Sequence, residues 1–270
     1  MNGTLYIVAT PIGNVEDITL RALRTLQEVD GIAAEDTRHT GQLLSRLAIK
    51  RPLMSLHEHN ELQRVQILLE KLQRGENWAL VSDAGTPGIC DPGAKLVRAL
   101  VQAGIRCVPI PGPCAMVTAL SASGIATSQF YFEGFLPQKQ GERKRRLQHL
   151  QPYDCPIVFY EAPHRLHKTL DDLCQVFGDA PLIVARELTK VYEQIVHTTL
   201  FKAKEQFDTP RGEFVLIVQP LPREAQQVDW QAVAEALSQR MAQGVPRREA
   251  AAEIANAFGV RKNEVYRLDL

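Results

Sequence analysis

The sequence has no cysteine pair spaced C-x-x-C, and its five cysteines, Cys90, Cys107, Cys114, Cys155 and Cys174, are odd in number and far apart. A disulfide framework and a zinc site both need paired, closer spacing, so neither is expected; a reducing, cytoplasmic setting is. No apolar run approaches the ~20 residues that cross a bilayer. Met1 leads into a short strand-like stretch, without the basic and long apolar regions of a signal peptide. An excess of one charge is also missing, since 31 Lys and Arg stand against 31 Asp and Glu. Any contact with nucleic acid must therefore come from local patches. Absent too are G-x-G-x-x-G and G-x-x-x-x-G-K-[ST], which argues against a dinucleotide fold of the usual kind and a P-loop NTPase. There is no internal repeat or low-complexity tract.

What is present is enough apolar material, 45% of 270 residues, for a core larger than one average domain. Short apolar runs ending in Pro/Gly loops alternate with segments of helical period, the pattern of a parallel α/β sheet. Strands are expected at Leu5–Ala9, Gly31–Ala34, Leu53–Leu56, Trp78–Val81 and Arg106–Ile110, with a helix over Glu61–Arg74. After Phe130–Phe135 the character changes. A basic run, Arg143 to Arg146, opens a helix, and strands follow at Pro156–Tyr160, Leu182–Ala185, Gln194–Leu200 and Glu213–Gln219. Helical crossovers do not fit at every step among the last three, so a mixed or antiparallel sheet is expected there. Pro220-Leu-Pro222 suits a linker. The expected division is an α/β domain at 1–118, a second α/β domain at 119–220 and a helical tail at 221–270.

Three Gly/Pro loops stand at strand ends where an open α/β sheet binds ligands: Thr10 to Asn14, Ser82 to Gly88 and Pro111 to Ala115. Each by itself is equally consistent with a tight connection. As an ordered set with Ala34-Glu-Asp-Thr-Arg-His39 and Leu56-His-Glu-His-Asn60, however, the chain resembles the tetrapyrrole-methylase superfamily. Phe159-Tyr-Glu-Ala-Pro-His-Arg165, Ala185-Arg-Glu-Leu-Thr-Lys190 and Arg211-Gly-Glu-Phe-Val215 extend the likeness over essentially the whole chain. Many members carry Gly-Asp-Pro where this chain has Ser82-Asp83-Ala84, and there the RNA-methylating branch is the better match.

The resemblance implies a two-domain tetrapyrrole-methylase-like α/β fold, a homodimer, and S-adenosylmethionine in the cleft between the domains. It implies contacts to that cofactor from Pro11, Ser82, Asp83, Thr86, Cys114, Ala115, Tyr160, Glu161, Leu188 and Thr189. It also implies 2′-O-methylation of a cytidine in the decoding region of small-subunit ribosomal RNA.

Methyl transfer to a hydroxyl is an in-line displacement in which alignment does much of the work, with a general base contributing about 10²–10⁴-fold. Glu35 and Lys190 are the expected proton-handling or hydroxyl-orienting residues. Asp36 is equally suited to cap the next helix, and Lys190 to pair with Glu187 or Glu193 on a solvated surface. Arg38, His39, His57 and His59 are placed to face RNA. His57 and His59 lack a third ligand at useful spacing, so no metal is expected, and Asn60 is read as the cap of the following helix.

From Val245 onward a helix, a glycine turn and a second helix resemble a helix-turn-helix, with Arg247, Arg248, Arg261 and Lys262 as candidate phosphate contacts. The run Arg143 to Arg146 is read either as a basic patch or as a solvated helix face. Two further functions fit parts of this pattern: methylation of a small tetrapyrrole-like substrate, and a non-catalytic nucleic-acid-binding regulator. The basic tail favours RNA over the first, and the ligand loops speak against the second.

Overall fold

In a computed structural model of the chain, residues 1–57, 59–126, 128–221, 230–258 and 262–268 are described. They form two compact units, Met1–Pro220 and Leu221–Leu270. The first unit opens with β1 (Thr4–Val8), α1 (Leu20–Glu28), β2 (Gly31–Ala34), α2 (Thr37–Arg46), β3 (Leu53–Ser55), α3 (Glu61–Gln73), β4 (Trp78–Val81), α4 (Ala94–Gln102), β5 (Arg106–Ile110) and α5 (Ala115–Ala122). Its strands form a wholly parallel sheet in the order β3-β2-β4-β1-β5. Such a sheet must be covered on both faces, and β2 and β4 are buried at every residue. Ile32, Ala34 and Ala79 join the cluster with Leu26 and Leu44, while Ala33 and Leu80 join the opposite one with Leu68 and Leu100.

The second sheet is built from β6 (Tyr131–Phe135), β7 (Ile157–Glu161), β8 (Pro181–Arg186), β9 (Gln194–Thr199) and β10 (Phe214–Val218), with α6 (Gln140–Leu150), α7 (Leu166–Phe177) and α8 (Leu200–Gln206). Its order is β6-β7-β10-β8-β9, with only β6 and β7 parallel. Strand β10 alternates cleanly. Phe214, Leu216 and Val218 face the α6, α7 and α8 side, and Val215 and Ile217 face the side that takes Ala119 of α5. Helix α5 thus starts at a loop of the first sheet and buries its apolar side on the second.

The fold absorbs one charge that the local pattern does not single out. Glu61 is 3% exposed, and its Oε1 accepts from the backbone N–H groups of Gly93, Lys95 and Leu96. The start of α4 has no side-chain cap of its own, so a carboxylate from α3 satisfies those donors and meets the positive end of the helix. Glu61→Ala is expected to lower stability by about 1–3 kcal/mol in urea unfolding. A loss under about 0.5 kcal/mol, the range of ordinary surface changes, would contradict the assignment.

The second unit packs α9 (Trp230–Ala242), α10 (Arg247–Phe258) and α11 (Lys262–Tyr266) around Val233, Leu237, Ala250, Ala251, Ala255 and Val265. Helix α9 stands beside the two helices expected at the end of the chain, and the glycine turn expected between those two, at Gly259, lies outside the described residues. No helix among the described residues is long and apolar enough to cross a membrane.

Candidate active site

The carboxyl ends of β1, β2, β4 and β5 converge on a cavity of about 450 Å³, closed on its other side by β7, β8 and β10 of the second sheet. Parallel strands force this convergence, because every βα loop leaves the same edge. The first and second loops are stitched together: Thr10 and Gly85 exchange backbone hydrogen bonds at 2.9 and 3.0 Å, and the Thr10 hydroxyl donates to the Ser82 carbonyl. Across the cleft, the Asn14 N–H donates to the Thr189 hydroxyl at 3.0 Å. Gly13 is required at this junction, since a Cβ there would lie 2.5 Å from Cγ of Lys190.

Of the residues expected to hold a cofactor, Asp83, Thr86, Cys114, Ala115, Tyr160, Glu161 and Leu188 line the cavity, and so does Glu35. Pro11, Ser82 and Thr189 do not. Pro11 is buried away from the cavity lining, and Ile12 stands in the wall. The Ser82 hydroxyl turns back onto the carbonyls of Ala84 and Gly85. Glu161 reaches the wall, but its carboxylate accepts from the Thr169 hydroxyl at 2.5 Å and pairs with Arg165, so it shapes the turn after β7. The Tyr160 hydroxyl accepts from the Met116 N–H at 3.0 Å and ties β7 to the start of α5. Burial, then the neighbouring Cys114, pushes the Tyr160 phenol well above its ordinary range.

Sequence reasoning missed Asp91, Cys90, Phe135 and the Glu213-to-Val215 stretch as wall residues, although the last lies in a motif already singled out. Asp91 and Cys90 lie beyond the Ser82 motif on the same loop, and Phe135 on a strand that had not been read as one.

One end of the cavity is acidic. The Asp83 carboxylate accepts from the Asp36 N–H at 3.0 Å, and Glu35 lies against the Asp83 N–H at 3.5 Å. Burial and then the charges of Asp91 and Asp83 push Glu35 above the ordinary 4.5. Burial likewise raises Asp91, and the charge of Asp83 adds to the rise against an opposing hydrogen bond from Ser82. The remaining wall is largely apolar, with Ile12, Ile89, Phe135 and Leu188. A ligand with a flat apolar body and a cationic end fits this lining, because its charge would relieve the crowded carboxylates.

Lys190 does not have the lowered pKa that a neutral amine base needs. Burial by itself would lower it, but the carboxylates of Glu187 and Glu213, each 2.8 Å from Nζ, outweigh burial and the ammonium is held above its usual range. Glu193, an expected partner, instead accepts from the Thr189 N–H. Asp36 does cap α2, accepting from the Arg38 N–H at 2.8 Å, and also pairs with the Arg38 guanidinium, which is 87% exposed. His39 is exposed on the first turn of α2. Asn60 occupies the cap position of α3 without capping it, because its side chain serves the His57 N–H and the Ser55 carbonyl. The His57 and His59 rings meet edge-on at 6.1 Å, and no metal-binding cluster occurs among the described residues.

Arg247, expected at the RNA, and two arginines of the run at 143–146 are used internally. Arg247 donates to the carbonyls of Tyr266 and Leu268 and covers the Tyr266 ring, closing the end of α11. Arg143 is buried against Asp172 and Arg146 pairs with Glu133, so the run at 143–146 is neither a free basic patch nor simply a solvated face. Arg248 and Lys262 are exposed in the second unit; Arg261 lies outside the described residues.

A family model described as tetrapyrrole (corrin/porphyrin) methylases matches residues 4–204. The chain is 48% identical over 275 residues to a Haemophilus influenzae protein named ribosomal RNA small subunit methyltransferase I, covering 100% of this chain and 97% of that one. A protein of the same name from Escherichia coli O157:H7 is 49% identical, covering 99% and 95%. Among solved structures, a diphthine synthase matches with a TM-score of 0.65 at 14% identity, over 80% of this chain and 90% of that one. Uroporphyrin-III C-methyl transferase from Thermus thermophilus, complexed with S-adenyl homocysteine, matches at 0.58 and 18% identity, over 80% and 97%. The parallel sheet, the mixed sheet and the cavity between them therefore have a name: this chain belongs to the tetrapyrrole methylase family and, within it, to the ribosomal RNA small subunit methyltransferase I group.

Proposed function

We propose that the protein transfers a methyl group from S-adenosylmethionine to the 2′-hydroxyl of a cytidine ribose in the decoding region of small-subunit ribosomal RNA. The methyl donor follows from the family. The observation that carries the reading is the cavity with an acidic end and apolar walls at the carboxyl edge of the parallel sheet, in a chain whose relatives are named for small-subunit ribosomal RNA. The reading includes a homodimer in the cytoplasm.

When bound, S-adenosylmethionine supplies an electrophilic methyl group on a positively charged sulfur. Asp83 and Asp91 place negative charge at one end of the cavity, suited to the donor's cationic end. Ile12, Ile89, Phe135 and Leu188 take the apolar part and exclude water. Tyr160, fastened to the first turn of α5, holds the two walls at a fixed separation. Glu35, with its raised pKa, is the group suited to accept the hydroxyl proton. Lys190 remains an ammonium and orients the acceptor. Arg38, His39, His57, His59, Arg248 and Lys262 are the groups left to meet RNA among the described residues, with Arg261 outside them.

The test uses labelled S-adenosylmethionine with undermethylated small ribosomal subunits, the naked RNA, and a uroporphyrin-type acceptor. Label is expected in RNA, within a dinucleotide that resists alkaline hydrolysis, because a 2′-O-methyl group removes the internal nucleophile of that cleavage. Label in the tetrapyrrole alone, or in an alkali-sensitive nucleotide, would overturn it.

A further inference from the structure

The segment between β8 and β9, residues 187–193, is built of two turns that share Lys190. The Lys190 N–H donates to the Glu187 carbonyl at 3.0 Å, and the Glu193 N–H donates to the Lys190 carbonyl at 3.1 Å. Glu187 and Thr189 sit at φ +50° and +66°, a region costly for residues with a Cβ. The surroundings hold them there. Gly212 leaves the space that the Glu187 side chain fills, since a Cβ would lie 2.3 Å from its Cγ, and Gly13 does the same for the Lys190 stem. A strained, doubly braced turn that presents one ammonium is not needed to join two antiparallel strands, which a shorter loop does with less strain.

The two carboxylates on that ammonium are unlike. Glu187 is fixed: its side chain is 18% exposed, and its Oε1 accepts both from Lys190 and from the Glu213 N–H. Glu213 is loose: its side chain is 76% exposed, and it lines the rim of the cavity. An ammonium carries three donors. Losing Glu187 would strand a charge that is only 31% exposed, whereas losing Glu213 to another oxyanion would leave the pairing unchanged and return a carboxylate to water.

From this asymmetry we infer that Lys190 is a phosphate-binding group for the RNA backbone beside the target ribose, with Glu213 as the exchangeable counterion that occupies it until RNA arrives. The site takes a phosphodiester oxygen. A compact ammonium suits this as a point charge without bidentate geometry. The inference rests on the RNA-methylating reading above. No bond is made or broken; one ion pair replaces another.

The experiment measures binding of the full-length protein, as a function of salt, to whichever RNA acceptor the wild type methylates. Glu213→Gln is expected to tighten binding about two- to fivefold, the range an exposed ion pair supports. Lys190→Gln is expected to weaken binding and to reduce the slope of log Kd against log salt by about 0.7–0.9, the value for one phosphate contact. In the Lys190→Gln background, Glu213→Gln is expected to give no gain, and Lys190→Gln by itself should keep its affinity for S-adenosylmethionine.

A gain from Glu213→Gln that persists without Lys190 would show general repulsion and overturn the exchange. Unchanged RNA binding in Glu213→Gln, or a loss of S-adenosylmethionine affinity in Lys190→Gln, would overturn it as well. If the wild type labels no RNA at all, the functional reading itself falls and takes the site with it. Label in RNA combined with any of these variant results removes the phosphate site alone.

Discussion

A Glu35→Gln variant is expected to bind S-adenosylmethionine with wild-type affinity and to lose about 10²–10⁴-fold in kcat, the contribution of a positioned general base. Glutamine keeps the shape but loses the negative charge and with it the ability to take a proton. Glu35 follows β2 directly and lies 3.5 Å from the Asp83 N–H, facing the cavity. Burial, Asp91 and Asp83 together raise it above 4.5, which brings a carboxylate closer to the basicity that efficient proton transfer requires. The sign of the pH dependence follows: the protonated carboxyl is inactive as a base, so kcat should rise with pH through the raised pKa and level off above it. The variant should be flat through that window. A variant that keeps more than about a tenth of wild-type kcat would remove Glu35 as the base, leaving alignment alone as the source of acceleration. Lost S-adenosylmethionine affinity would instead make it a partner of the donor's cationic end.

Asp172→Ala should destabilise the protein by about 3–5 kcal/mol, the cost of stranding one member of a buried ion pair. Asp172 on α7 and Arg143 on α6 are 1% and 4% exposed, and the guanidinium meets the carboxylate at 2.7 Å through both Nε and Nη2. Its remaining nitrogen reaches the carbonyls of Pro137 and Gln138 at 3.3 and 2.9 Å, so every part of the group is engaged. Urea unfolding should show a lower midpoint with an unchanged slope. Replacing both partners by apolar residues, as in Arg143→Met with Asp172→Leu, should recover most of the loss, because no charge is then left buried. Lys144→Ala, which removes only a 3.8 Å contact, should change little. A loss below about 1 kcal/mol in Asp172→Ala would mean that water reaches the pair, and Arg143 would again be available to a ligand.

These two variants separate what was legible in the sequence from what was not. Glu35 and Asp83 could be found because βα loops carry their chemistry at fixed offsets from apolar strands, and β2, β4 and β5 were read to the residue. The same local rule fails at β6. Its Tyr-Phe-Glu-Gly-Phe pattern includes Gly134 at a register irregularity, so simple alternation breaks within the strand. Helix α8 also escaped, because it is a short segment between two strands whose spacing already pointed to antiparallel pairing.

Charge was the hardest property to read. Arg143, Arg146, Arg247 and Lys190 look alike in sequence, yet one is buried on a carboxylate, one is paired at a strand, one closes a helix end and one is held between two carboxylates. Most of the deciding partners are distant in sequence: Arg143 and Asp172 are 29 residues apart, Arg247 and Leu268 are 21, and Lys190 and Glu213 are 23, although Glu187 is near Lys190. Periodicity over a dozen residues carries no information about such pairs.

By itself, then, the order of apolar runs, loops and helices determined a parallel α/β sheet with a ligand edge, because strand burial and loop chemistry are local properties of consecutive residues. The tertiary structure decided which charges are free. Only when the loops after β2 and β4 meet does Glu35 become crowded by Asp83 and Asp91, and only when Gly13 and Gly212 meet the 187–193 turn is Lys190 fixed between a largely buried and an exposed carboxylate. Electrostatic fate depends on distance and on exclusion of water, and both are set by the packing of segments far apart in the chain.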